Sequence, residues 1–290
     1  MIERISNKAE LRAAVAAARK EGKRVGFVPT MGALHEGHLS LVRAACARTD
    51  LVVASIFVNP TQFSPGEDFE AYPRPIEADL SALSAEGVEV AFTPTPATMY
   101  APDTQVTVDP GPLAARWEGA LRAGHFAGVA TVVAKLFSIV RPDLAFFGEK
   151  DYQQLKIIER LVLDLDLGVG IVACPTVRER DGLALSSRNA YLSAQERQTA
   201  IAVPEALEAA ARAVAWGELD VPAIEAAMRD AFQVRVAASD VAVSLDYAAV
   251  IDPATLEPLE RVAGTARAIV AAHVGTTHLI DNCPLAPPAA

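Results

Sequence analysis

Two histidines three positions apart, His35 and His38, are the residues of this sequence best suited to chemistry. They sit in the run Phe27-Val28-Pro29-Thr30-Met31-Gly32-Ala33-Leu34-His35-Glu36-Gly37-His38. An apolar stretch, Arg24 to Val28, predicts a strand that Pro29 stops. Gly32 lets the backbone turn, and a helical pattern carrying Leu39, Leu41 and Val42 begins near Gly37. A strand that runs through a loop into a helix start is a common phosphate site, because the first N–H groups of the helix point outward and its dipole favours an anion. Three readings compete. A zinc pair on a helix needs histidines at i and i+4 and a third ligand, whereas here the spacing is i+3 and Glu36 is followed by Gly37. Two capping or surface histidines are the plain alternative. The phosphate reading accounts for Gly, Pro and both histidines within one junction, and predicts that the imidazoles share a helical face beside a row of open backbone donors.

Three other short stretches offer complementary groups. In Gly148-Glu149-Lys150-Asp151 the glycine permits close backbone approach and Lys150 can reach a phosphate. Asp151 can accept from a ribose hydroxyl or help hold Mg²⁺; the plain alternative is an exposed helix start with an acidic cap. Gln153 and Gln154 follow on the next turn, where one of them can face a cleft. Ser186-Ser187-Arg188 supplies two hydroxyls and a guanidinium fork matched to phosphate oxygens, though such a triplet alone is more often a simple loop. Asn59 and Gln62, flanked by Phe57 and Phe63, suit a small polar substrate with apolar branches.

The elements that must position these groups follow from periodicity. Helices are predicted over 10–20, 37–49, 76–85, 129–140 and 152–165. The 37–49 helix turns Leu39, Val42 and Ala45 to one face, 76–85 carries Asp79, and 129–140 carries Lys135. Strands are predicted over 24–28, 51–58, 88–92, 144–147 and 169–173, with a short edge strand over 105–108. Leu51 to Val58 is a continuous apolar run, as expected of a strand covered on both faces. A loop containing Asp68, Tyr72 and Arg74 precedes 76–85, and Arg122 to Gly128 is glycine-punctuated and suited to motion. Alternating strands and helices predict an α/β doubly wound parallel sheet. From about Val177 the pattern changes. Ala-rich helices over 193–215 and 221–236, and strands over 243–251 and 267–272 that 278–281 extends, predict a smaller α+β domain. The boundary falls near Pro175, giving domains 1–176 and 177–290.

Composition narrows the classes. With 290 residues, about half of them apolar, and a net charge of −10, the chain is suited neither to non-specific nucleic-acid binding nor to an anionic membrane surface. Cys46, Cys174 and Cys283 lie far apart, which excludes a disulfide framework; each reads as a small buried hydrophobe in a reducing, cytoplasmic protein. The N-terminus carries no secretion signal, no run is long enough to span a bilayer, and a Pro/Ala tail from Pro284 to Ala290 is expected to fray.

The runs Pro29 to Leu41, Ser55 to Phe63, Tyr72-Pro73-Arg74, Gly124-His125-Phe126, Phe147 to Leu155 and Asp181 to Leu192 resemble those of the pantothenate synthetase (pantoate–β-alanine ligase) family, in order from Pro29 to about Ser193. His35-Glu36-Gly37-His38 resembles the HxGH signature of the nucleotidylyltransferase superfamily, whose fold is Rossmann-like. The resemblance implies an ATP-dependent condensation of (R)-pantoate with β-alanine through pantoyl adenylate, with ATP as substrate, Mg²⁺ as cofactor and a homodimer. It implies that His38, His35, Lys150 and Arg188 are catalytic. ATP contacts fall on Met31, Gly32, Ala33, Leu34, His35, Glu36, Gly37, His38, Gly148, Glu149, Lys150, Asp151, Val177, Leu185, Ser186, Ser187 and Arg188. Pantoate is held by Gln62 and Gln154 with Asn59 nearby, and Gln62 lies near the β-alanine site. Arg122 and His125 match a flap over the triphosphate, Asp79 a metal-side residue, and the C-terminal domain a cover for the active site.

Overall fold

The computed structural model describes residues 2–287, which fall into two units. The first runs to Glu149 and resumes over Gln153–Pro175; the second comprises Lys150–Tyr152 and the chain from Thr176 onward. Residues 288–290, the end of the expected frayed tail, lie outside the described residues.

In the first unit the elements are β1 (Glu3–Ile5), α1 (Lys8–Lys20), β2 (Val25–Thr30), α2 (Glu36–Cys46), β3 (Leu51–Ile56), α3 (Ile76–Ala85), β4 (Val90–Phe92), the single turns α4 (Pro96–Met99) and α5 (Glu118–Leu121), α6 (His125–Val140), β5 (Leu144–Gly148), α7 (Tyr152–Asp164, whose first residue belongs to the second unit) and β6 (Gly170–Cys174). The six strands are parallel in the order β1-β4-β3-β2-β5-β6. Counted from β2, this is the doubly wound order 3-2-1-4-5 with β1 added outside β4. Its direction therefore reverses between β2 and β5, where such sheets bind ligands at the carboxyl ends of their strands. Both faces are covered. Val28, Val52, Ala54, Ala91 and Phe146 pack with Leu41, Val42 and Ala45 of α2 and Leu83 of α3. On α6, Phe137 meets Phe27 and Phe147 edge-on at 6.4 and 6.3 Å.

Pro29 does not end β2. The strand pairs with β3 as far as Thr30, opposite Ile56, whereas its pairing with β5 covers only Gly26 and Phe27. The missing N–H of Pro29 thus falls beyond the β5 ladder, where no bond is lost. On α2, Leu41 rather than Leu39 joins the buried face. The expected strand over 105–108 is irregular, with Val106 exposed and Val108 N–H donating to Thr131 Oγ1 at 2.9 Å.

The second unit holds α8 (Ala194–Thr199), α9 (Ala202–Ala215), α10 (Val221–Ala237), β7 (Val243–Ile251), β8 (Ala266–Val274) and β9 (Thr277–Leu285). The strands form an antiparallel sheet, β7-β8-β9. Its inner face, including Val250, Ala268 and Val270, packs on Val203, Leu207, Ile224, Met228 and Phe232. Residues 278–281 belong to a strand of their own. Pro284 and Leu285 do not fray: they pair with Arg267 and Ala266.

The reading of three buried cysteines needs correction, because Cys46 is exposed. Burial raises the thiol pKa of Cys46 and Cys174 alike and pushes Cys283 up to about 11, so what sets Cys46 apart from buried Cys174 and half-buried Cys283 is its exposure. The thiolate is the reactive form. A disulfide reagent at pH 8 is therefore expected to label one thiol per native chain, Cys46, and all three after unfolding, as counted by absorbance and peptide mass.

Candidate functional site

At the carboxyl end of β2 the chain makes a tight loop. Gly32 and Ala33 both have positive φ, +83° and +51°, a region in which a non-glycine residue is strained. Three groups hold it. Thr30 Oγ1 accepts from Gly32 N–H at 3.2 Å while donating to Ser55 O at 2.7 Å. Asp79, buried in the first turn of α3, takes Ala33 N–H on Oδ2 (3.0 Å) and Leu34 N–H on Oδ1 (2.8 Å). Burial raises the Asp79 pKa, and these two N–H groups only partly offset it. Each carboxylate oxygen is thus engaged by the loop. Asp79 therefore has a structural role in holding the turn, beside the metal-side role expected of it.

His35 caps α2 from an extended conformation. Its Nδ1 accepts from Gly37 N–H at 3.1 Å, and His38 Nδ1 accepts from His35 N–H at 3.4 Å, a reciprocal capping box. The rings lie 4.1 Å apart between centroids. A ring nitrogen that accepts from a backbone N–H carries no proton, so each neutral imidazole is protonated on Nε2. The arrangement replaces the expected row of open backbone donors. The N–H groups of Gly32, Ala33, Leu34, His35 and Gly37 are spent within the loop, and His38 N–H reaches His35 O at 2.8 Å. The two imidazoles and the positive end of the α2 dipole lie together at this junction, where both favour an anion. Glu36 turns aside to pair with Arg43, which also meets Glu86 at 2.6 Å.

After β3, Asn59 caps the short turn Pro60–Gln62 and is almost wholly buried. Its Oδ1 accepts from Tyr100 Oη (2.7 Å) and Thr61 Oγ1 (2.9 Å); its Nδ2 donates to Gln62 Oε1 (3.0 Å) and Gly128 O (3.3 Å). Gln62 is fixed by its oxygen, and its Nε2 lies 3.2 Å from Met31 Sδ, next to the histidine loop. Asn59 therefore positions Gln62. Gly128 on α6 closes against this turn: a Cβ there would sit 2.2 Å from Thr61 O. Gly128→Ala is expected to destabilise the chain by about 1–3 kcal/mol, an overpacking penalty measurable by urea denaturation, and to displace Gln62.

Gln62 O receives His125 Nδ1 at 2.8 Å, so that nitrogen carries the proton and Nε2 accepts from Arg122 at 3.1 Å. Arg122 is also bound by both oxygens of Glu67, each at 2.8 Å. Burial opposes the Glu67 charge, yet the guanidinium overrides it and holds the carboxyl below its usual range. The two expected flap residues are thus tied to the Gln62 turn and to the 64–74 loop, where Arg74 gathers the carbonyls of Phe69, Glu70 and Tyr72. Of the two glutamines on α7, Gln153 is buried and braces Leu113 O, Arg116 O and Glu118 N–H, whereas Gln154 is half-buried.

In the second unit, Lys150 Nζ lies 3.7 Å from Asp151 Oδ1, and Lys150 O accepts from Asn282 Nδ2 at 2.9 Å. Arg267 binds Asn282 Oδ1 and stacks on Tyr152 at 3.7 Å, which seats the Lys150–Tyr152 segment on the β8–β9 hairpin. Residues 177–185 form a second small hairpin in which Leu185 N–H meets Val177 O at 3.0 Å and Arg178 pairs with Asp281. Ser186 then caps the turn Ser187–Tyr191, its Oγ accepting from Arg188 N–H at 3.3 Å. Val177, Leu185 and Ser186 to Arg188 are therefore consecutive parts of one support. Tyr100, Glu67, Arg267 and Asn282 lie outside every motif of the sequence, and Thr30, Gly128 and Gln153 lie within such stretches without being marked as supports; only their partners reveal them.

A 3-2-1-4-5 parallel sheet with a His-x-Gly-His loop at its switch point defines a nucleotide-binding α/β protein of the HxGH class. Within that class the chain belongs to the pantoate–β-alanine ligase family, whose model matches residues 3–284. It is 51% identical to the pantothenate synthetase of Rhizorhabdus wittichii over 98% of both chains, and 55% identical to that of Mycolicibacterium smegmatis over 94% of this chain and 84% of the other. The crystal structure of pantothenate synthetase from Thermus thermophilus superimposes with a TM-score of 0.92 at 47% identity, covering 99% of this chain and all of that one. The pantoate–β-alanine ligase of Francisella tularensis, crystallised with a β,γ-ATP compound and β-alanine, gives 0.80 at 32% identity over 98% and 97%. Among the described residues no helix is long and apolar enough to cross a membrane.

Proposed function

We propose that this chain condenses (R)-pantoate with β-alanine at the expense of ATP, through a pantoyl adenylate, releasing AMP and pyrophosphate. The observation that carries this reading is the His35–His38 pair at the switch point, with Nε2–H donors set by two reciprocal caps and the neutral Gln62 amide beside Met31. Pantoate's carboxylate is ionised at neutral pH and needs no protein nucleophile to attack the α-phosphorus. What the step needs is positive or hydrogen-bonding character on the phosphoryl oxygens as pyrophosphate departs. In this reading the residues from Met31 to His38 line the ATP site, with His38 donating to the leaving pyrophosphate and His35 beside it. Gly148 to Asp151, Val177 and Leu185 to Arg188 contact ATP, with Lys150 and Arg188 supplying cationic charge. Gln62 and Gln154 hold pantoate, Asn59 keeps Gln62 in place, and Arg122 and His125 lie toward the triphosphate. Mg²⁺ bound to the nucleotide supplies further charge, and no side chain is assigned to it. The amine of β-alanine then attacks the acyl carbon and AMP leaves.

The test is exchange of labelled pyrophosphate into ATP. Exchange that requires pantoate and proceeds without β-alanine is the expected result. Exchange driven by a phosphorylated acceptor instead would make the chain a simple nucleotidylyltransferase and overturn the reading. A homodimer in the cytoplasm is the assembly and location we attach to this function; sedimentation at twice the chain mass checks the first.

A further inference from the structure

In the second unit, three side chains that take no part in the proposed ligase reaction converge at one end of the antiparallel sheet. β8 and β9 are joined by the two-residue turn Gly275-Thr276, in which Gly275 has a φ of +58°. The register places His273 directly opposite His278, one pair in from that turn. Their rings stack with centroids 4.6 Å apart and planes 24° from parallel. On the neighbouring strand the ladder slips between Leu245 and Tyr247, so Asp246 is the extra residue of a bulge. A bulge re-aims a side chain. Here it brings Asp246 Oδ2 to 2.9 Å from His273 Nδ1 and 3.4 Å from His278 Nε2.

We propose that Asp246, His273 and His278 form a site for a divalent first-row transition ion of the zinc class, clamping β7 to the mouth of the β8–β9 hairpin. One ligand atom from each residue lies within 4.8 Å of the other two. Ligands bound tetrahedrally at zinc's usual bond lengths stand about 3.3 Å apart; the 3.4 Å separation matches that edge, and the 2.9 Å one is a hydrogen bond that lengthens to it when the ion displaces the shared proton. Two neutral imidazoles and one carboxylate are a donor set that zinc accepts, and they leave a fourth position for water. Access is open from one side: the His273 side chain is 45% exposed, whereas Asp246 and His278 are 15% and 18% exposed. All three ligands sit on paired strands, so little ordering is needed when the ion binds.

The experiment uses the full-length chain after chelator treatment and dialysis, titrated with Co²⁺ as a visible reporter. One equivalent is expected to produce the intense d–d absorption of a four-coordinate ion, and Zn²⁺ is expected to displace it. Asp246→Asn, close in shape, and His278→Gln should each weaken Co²⁺ binding by more than about 100-fold, beyond the effect of losing an outer-shell partner. Absence of the band, or a band of unchanged affinity in both variants, overturns the proposal. A second measurement needs no variant: Zn²⁺ should protect His273 and His278 from carbethoxylation, read by peptide mass spectrometry. Equal labelling with and without Zn²⁺ would also overturn it.

Discussion

Replacing His38 by alanine is expected to lower kcat by about 10²–10³-fold, the range found when one preorganised donor is removed from a transition state. The change should fall equally on kcat/KM, because a donor aimed at departing pyrophosphate gains little from the ground state. Stability should hardly move. The bond that His38 Nδ1 accepts from His35 N–H is long, at 3.4 Å, and His35 remains to cap α2 through Gly37 N–H. Loss of half a capping box costs about 0.5–1 kcal/mol. Steady-state kinetics with saturating ATP, pantoate and β-alanine, beside urea denaturation of the same samples, separate the two effects. Unchanged turnover would remove His38 from the chemistry. A drop in turnover matched by an equal loss of folded protein would reduce the residue to a cap.

That expectation differs in one respect from what the sequence alone suggests, and the difference shows what a sequence conceals. The placement of both histidines between β2 and α2 was legible, because a strand, a glycine and a helix start have local signatures. The manner in which they are held was not. Residues three apart look like neighbours on a helical face, yet His35 is extended and outside the helix. The two rings lie tilted against each other beside the capping box, and the backbone N–H groups of Gly32, Ala33, Leu34, His35, Gly37 and His38 are already engaged. Occupancy of this kind depends on partners such as Asp79, 45 residues away from Leu34. Asp79 carries no signature beyond being an acid in the first turn of a helix.

The same division runs through the fold. The alternating pattern predicts the parallel sheet, and the apolar run at Leu51 predicts one of its two central strands. Elements of three residues, such as β1, hold too few positions for a period to emerge. Pro29 lies in a strand because of where the neighbouring ladder ends, a tertiary fact. The helix read as continuous over 193–215 is instead two. Pro204, third in α9, could have signalled this, since proline favours the first turn of a helix and breaks its interior. Likewise 278–281 reads as an extension of the preceding strand unless Gly275 is recognised as a turn residue with positive φ.

Asp79 is where fold and chemistry are most tightly joined, and its removal should have the largest effect on stability. Asp79→Ala leaves the N–H groups of Ala33 and Leu34 without their carboxylate, in a loop where Gly32 and Ala33 already occupy positive φ. Bonds to a charged acceptor are worth about 1.5–3 kcal/mol each, and relaxation of the loop returns part of that, so a loss of about 2–4 kcal/mol is expected. Once released, the loop no longer fixes the start of α2, and a shift of about 1 Å in the histidines is enough to lower kcat/KM by about 10²-fold. Asp79→Asn should fall between, since one of the two backbone donors then faces an amide NH₂ instead of an oxygen. The pH dependence has a definite sign. Burial raises the Asp79 pKa above its ordinary 3.8, so the folded chain holds that proton more tightly than the unfolded chain. The associated stability is complete below the ordinary value and is lost as the pH rises through the raised one. The gap between wild type and Asp79→Ala should therefore narrow toward neutrality without closing. Denaturation without nucleotide or metal distinguishes this from a metal-ligand role, because a carboxylate kept only to hold an ion would leave the ligand-free chain as stable as before, or more so, once it is removed.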